Sequence, residues 1–146
     1  MSVETILTVP TGEVMRRLGV RLLDMLHAER AVTAAPKANL FPDWKPHPSE
    51  CHDNADAWVV MHPADTVVRG WMYQRVDRLP EGVQHVFLAH SVIRTVGGEL
   101  IDVTLSQDEA AGRFLCHPNE IGGFFALLLN PASPKEFKVI ERRSGF

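Results

Sequence analysis

The sequence predicts a single α+β domain over residues 1–146, an antiparallel β-sheet packed with helices. Three observations predict it. Val14, Leu18, Leu22, Met25 and Leu26 recur at steps of three and four, which gives a helix one apolar stripe. Two later stretches, 66–76 and 83–105, are instead rich in β-branched and aromatic residues, the composition of strands. Gly97-Gly98 interrupts the second where a hairpin would turn. A chain of 146 residues holds one sizeable core and is too short for two ordinary domains.

The first helix is expected over Thr11–Arg30, with Thr11 as N-cap and Arg16, Arg17, Arg21 and Asp24 off the stripe. Ala31–Ser49 carries Pro36, Pro42, Pro46 and Pro48, which forbid a regular element, while Leu40, Phe41 and Trp44 would pack it over the body as one wall of a cleft. A second helix is expected over Cys51–Met61, ended by His62-Pro63 and buried on the side of Ala55 and Trp58. Thr66–Val76 reads as a strand in which Gly70 marks a bulge or a close neighbour. Leu79-Pro80-Glu81-Gly82 is a turn, and Val83–Val96 with Glu99–Leu105 form a hairpin. Ser106–Gly112 has the capping-box spacing of a short helix, Ser106 to Glu109. Arg113–Cys116 reads as a strand. His117–Asn130 is largely apolar, of a type that Gly122-Gly123 leaves open. Phe137–Ile140 is a last strand before a polar tail, Glu141-Arg142-Arg143.

The bulk numbers exclude several functions. With 45% hydrophobic and 23% charged residues the composition is globular, and a net charge of −3 attracts neither nucleic acid nor anionic lipid. No apolar run has the length of a membrane span, and Met1–Pro10 lacks the basic cluster and apolar core of a signal peptide, so a cytoplasmic location is expected. Two cysteines, Cys51 and Cys116, make no disulfide framework and should be free thiols, with Cys116 packed in the core.

The chemistry is concentrated in an ordered trio of Cys51, His90 and Asp102. Cys51 opens a helix, where unpaired N–H groups and the helix dipole favour a thiolate and supply donors for an oxyanion. Glu50, Asp53 and Asp56 place negative charge nearby and oppose this. Asn54, one turn on, would position the neighbouring loop or the substrate. His90 and Asp102 act together only if they share a face of the sheet, and the turn length decides that. A two-residue turn pairs Ile93 with Asp102 and sends His90 to the other face. A three-residue loop, Val96-Gly97-Gly98, pairs Thr95 with Glu99 and Val92 with Asp102, so His90 and Asp102 become diagonal neighbours ~7–8 Å apart. Gly98 suits the left-handed last position of such a loop, which favours this register.

The order Cys on a helix, His on a strand and Asp on the next strand, here within Asp102-Val103-Thr104, resembles the papain-like cysteine superfamily. It resembles in particular transglutaminase-like domains, and the step from His90 to Asp102 is also similar to NlpC-type peptidases. The resemblance covers Glu50 to Leu105. It implies a papain-like core with Cys51 as nucleophile, His90 as general base and acid, and Asp102 as orienter of the ring. It implies acyl transfer from a peptide, an isopeptide, a protein or a small amide through a thioester, with no cofactor and no metal. Trp44 and Asn54 are the expected substrate contacts. No glutamine stands just ahead of Cys51 to complete an oxyanion hole, a departure from the pattern. Two other readings are a catalytically inactive peptide- or protein-binding module of the same fold, and a metal site at Cys51, His90 and Asp102, with His52, His85 and His117 as further nitrogen donors. The zinc spacings are absent, and Cys51 and His52 should diverge on a helix. His85 alternates onto the face of its strand opposite His90.

Overall fold

A computed structural model describes residues 3–7, 12–47, 50–80, 82–109, 112–128 and 136–143. Its elements run β1 (Val3–Leu7), α1 (Gly12–His27), β2 (Val32–Thr33), β3 (Ala35–Pro36), α2 (Cys51–Met61), β4 (Thr66–Leu79), β5 (Gly82–Arg94), β6 (Leu100–Asp102), β7 (Arg113–Cys116), α3 (Phe124–Leu128) and β8 (Glu136–Arg143). The α+β class and the mainly antiparallel sheet are as the sequence predicts. Eight strands form one sheet in the order β1-β8-β5-β4-β7-β2, with β6 attached to β5 and β3 lying parallel to β6.

The scaffold is the β4–β5 hairpin, paired from Thr66↔Arg94 down to Leu79↔Gly82. Gly70 marks a close neighbour rather than the bulge. A Cβ there would lie 2.2 Å from the Leu115 carbonyl oxygen of β7, and the bulge sits between Tyr73 and Arg75. Gly70→Ala should therefore force β4 and β7 apart and cost about 3 kcal/mol, read as a lower urea midpoint. An unchanged midpoint would show that the strand gap relaxes freely.

Alternation along β5 divides the core. Phe87 and Ala89 meet Leu18 and Leu22 of α1 in the larger cluster, together with Trp71, Leu115 and Phe137. Ile93 continues the same face and packs against Ala55 and Trp58 of α2, with Ile101 and Val103. β5 gives its outer edge to β8 over Gly82–Leu88 and to β6 at Ile93–Arg94. Between these two pairings, Ala89–Ser91 has no strand on that edge among the described residues. α2 meets the sheet at this gap.

Several expectations change. Residues 3–7 form an edge strand on β8, which no periodicity in that short segment announces. α1 ends at His27, and Thr11 lies outside the described residues. The proline-rich stretch is not free of regular structure: it holds β2, β3 and a 3₁₀ turn at Ala38–Leu40. β3 tolerates Pro36 because it is two residues long and at the sheet's margin. Ser106–Gln107–Asp108–Glu109 is a turn, not a helix. Glu109 accepts from the Ser106 N–H at 2.7 Å, so the capping-box bond forms without a helix to follow. The apolar stretch after His117 holds a 3₁₀ turn at Asn119–Ile121 and α3, separated by Gly122 at φ 145°. Glu141 and Arg142 belong to β8 rather than to a solvated tail, and Glu141 is buried. Cys116 is exposed, not core, because it faces outward at the end of β7.

Candidate functional site

The turn that decides the site is the three-residue loop. Thr95 N–H donates to the Glu99 carbonyl at 2.8 Å, Gly98 N–H returns to Thr95 at 2.8 Å, and Gly98 has φ 90°. Ile93↔Ile101 and Arg94↔Leu100 continue this register, and one residue further Asp102 stands opposite Val92. His90 and Asp102 accordingly share a face. The His90 Nε2–H donates to Asp102 Oδ2 at 2.6 Å, between side chains that are only 5% and 3% exposed. The other carboxylate oxygen accepts the backbone N–H groups of Thr104 and Leu105, each at 2.9 Å. Asp102 is thus fixed by its own turn before it meets the histidine.

Cys51 is the first residue of α2, so the N–H groups of its first turn have no partner within the helix. Its thiol is hydrogen-bonded to His90, and the two line one cleft. Since Nε2 of His90 is held by Asp102, the nitrogen turned to the thiol is Nδ1. Burial opposes ionisation of Cys51, but hydrogen bonds to His52 and His90 and the charge of both rings outweigh it and hold the thiol down at about 6. Burial likewise disfavours a charged His90, and the bonds to Asp102 and Cys51 outweigh it and raise the ring to about 9. Burial would push Asp102 up, yet the His90 bond and charge and the Leu105 and Thr104 N–H groups hold it below the usual carboxylate range. The two shifts run in the direction that favours a thiolate beside an imidazolium. The acidic neighbours do not undo this: Asp56 is paired with Arg69 at 2.5 Å, and Glu50 and Asp53 are exposed.

The pair opens onto a cleft of 630 Å³ that is mostly apolar, lined by Met72, Leu88, Ala89 and Leu105 beside Cys51 and His90. The proline-rich stretch contributes to it through Pro46. Trp44 and Asn54, expected as substrate contacts, are placed otherwise. Trp44 donates from Nε1 to the Val103 carbonyl at 2.7 Å and packs edge-on against Trp58, away from the cleft lining. Asn54 is 3% exposed and fully used: it accepts the His47 N–H at 3.0 Å, and its amide donates to the His47 carbonyl and to Thr104 Oγ1. It ties the proline-rich segment to the turn after Asp102. Asn54→Ala should lower stability by about 2 kcal/mol in urea unfolding, since two backbone groups and a hydroxyl lose their partner. A midpoint within error of wild type would remove this role.

His52 does not diverge from Cys51. Its Nδ1 lies 3.8 Å from Sγ, because the ring turns back to meet Ser91 Oγ at 2.6 Å. Ser91 carries no sequence signal of its own, and only the strand pairing brings it within reach. His85 lies on the opposite face from His90, as alternation requires, bonded to Tyr73 and Glu141. Among the described residues no three His, Cys, Asp or Glu side chains are grouped to hold a metal ion.

Compared with family models, with curated proteins and with solved structures, the chain matches none. No helix among the described residues is long and apolar enough to cross a membrane.

Proposed function

We propose that this protein is a cysteine-dependent acyl-transfer enzyme, a hydrolase or transferase with Cys51 as nucleophile, His90 as proton relay and Asp102 as orienter. The observation that carries the reading is the His90–Asp102 hydrogen bond at 2.6 Å, with the other ring nitrogen turned to a thiol at a helix N-terminus on an apolar cleft. The order of the three residues and their elements also supports a papain-like, transglutaminase-like core. In the reaction the Cys51 thiolate adds to the carbonyl carbon of an amide or ester, and the carbonyl electron pair moves onto oxygen. His90 gives its Nδ1 proton to the leaving amine or alcohol as the thioester forms. It then takes a proton from the incoming water or amine, whose attack frees Cys51. Substrates of this class are peptides, isopeptides or small amides with an apolar acyl side.

Trapping the thioester is the test. p-Nitrophenyl acetate should leave an acetyl group on Cys51, found by peptide mass mapping and released by hydroxylamine, with none in Cys51→Ala. An acetyl group found only on lysines, or equally on Cys116, would end the proposal. The initial rate should rise with pH through about 6 as Cys51 ionises and then level off, whereas with an anilide, whose amine must be protonated to leave, it should also fall through about 9 as His90 loses its proton. A single rise near an ordinary thiol pKa would contradict the ion pair.

A further inference from the structure

His52 is a second imidazole at the thiol, with no part in the steps above. Three elements fix its ring. From β5, the fully buried Ser91 meets Nδ1 at 2.6 Å. From β4, Arg69 donates to the same Ser91 oxygen at 2.9 Å, held by Asp56 at 2.5 Å and lying 4.6 Å over the Phe125 ring. From α3, Phe124 and Phe125 close on the imidazole edge-on at 5.5 and 5.9 Å between centroids. The ring lines the cleft, and its Nδ1 is 3.8 Å from Cys51 Sγ. A bare Nδ1 would turn a lone pair toward sulfur, whereas an Nδ1–H faces both sulfur and Ser91 as a donor. A hydroxyl oxygen has two acceptor lone pairs; Arg69 fills one, and the other is open to an Nδ1–H of His52.

We propose that His52 is a second catalytic residue of this site: its Nδ1–H supports negative charge on Cys51 Sγ and then on the carbonyl oxygen as sulfur adds. Ser91 and Arg69 are its positioning residues. This rests on the reading of Cys51 as nucleophile. In the step, a sulfur electron pair forms the S–C bond and the carbonyl π pair moves to oxygen. His52 keeps its proton and only redirects its hydrogen bond. Collapse restores the C=O bond and expels the leaving group. The oxygen is bound to the carbon under attack, so a donor beside sulfur is also beside it, which is the geometry an oxyanion donor needs.

Two reagents separate this role from packing. Iodoacetamide reacts at a saturated carbon and forms no oxyanion, whereas p-nitrophenyl acetate does, and its leaving group needs no proton from His90. Both rates at Cys51 are measured at a pH where the thiol is fully ionised. His52→Phe, which keeps the aromatic contacts, should slow acetylation about 100-fold and alkylation by less than about 3-fold. His52→Gln, which keeps an N–H donor, should recover acetylation to within about 10-fold of wild type, and Ser91→Ala should lose about 10-fold in acetylation alone. Equal losses with both reagents, or acetylation at the wild-type rate in His52→Phe, would overturn the role. If His52→Phe does not fold, His52→Gln and Ser91→Ala decide the matter by the same ratio of rates. Failure of the underlying reading looks different: wild-type Cys51 would neither alkylate rapidly below pH 7 nor acetylate, and both proposals would fall together.

Discussion

Iodoacetamide should alkylate Cys51 rapidly at pH 7, with a rate that rises along a titration centred at about 6 and is flat above pH 8. Cys116, exposed at the end of β7, serves as the comparison within the same molecule when each site is followed by peptide mass. In His90→Ala the thiol keeps His52 and the helix N-terminus but loses the charged ring raised to about 9. Its titration should move up toward the ordinary thiol range of about 8.5, and the rate at pH 7 should fall roughly 10- to 30-fold. His90 is buried, so folding of the variant is checked by circular dichroism first. Cys51 reacting like an ordinary thiol in both proteins would refute the ion pair and the enzyme reading with it. An unchanged titration in folded His90→Ala would assign the thiolate to His52 and the helix alone.

Asp102→Asn should abolish turnover while leaving the turn intact. The asparagine oxygen can still accept the Thr104 and Leu105 N–H groups that Asp102 accepts at 2.9 Å. Its amide, however, presents hydrogens to His90 Nε2, where the carboxylate accepted one at 2.6 Å. The ring must then carry its proton on Nδ1 and cannot take another at low cost. Thioester formation should drop on the order of 1,000-fold. Stability should respond with a defined sign. His90 is raised above its unfolded value of 6.5, so its contribution is complete below about 6.5 and fades as pH rises through about 9. Asp102 is lowered, so its contribution is present above its unfolded value of 3.8 and is lost as pH falls through its lower folded value. The gap in urea midpoint between wild type and Asp102→Asn should therefore be wide at pH 5.5 and narrow at pH 9.5. A gap that does not change between these two values would show that the pair is not charged as described.

The parity of the hairpin was legible because it depends on chain neighbours. Gly98 is the residue that accepts the left-handed position, and that one angle places His90 and Asp102 on one face. The bounds of α2 and of the strand Arg113–Cys116 were legible for the same reason, since prolines, caps and alternation act within a few residues. β1 was not, because its five residues are held by pairing with β8, far along the chain.

What the sequence by itself determined is the α+β class, the start of α2 at Cys51, and the shared face of His90 and Asp102. Those follow from local stereochemistry and periodicity. Only the tertiary structure decided that Cys51 of α2 and His90 of β5 meet at one cleft. It alone turned His52 back onto the thiol through Ser91 and Arg69, spent Asn54 on His47 and Thr104, and set Trp44 against Trp58. These contacts join residues on different elements, and a side chain with several possible partners takes the one that packing of the whole sheet brings within hydrogen-bond range.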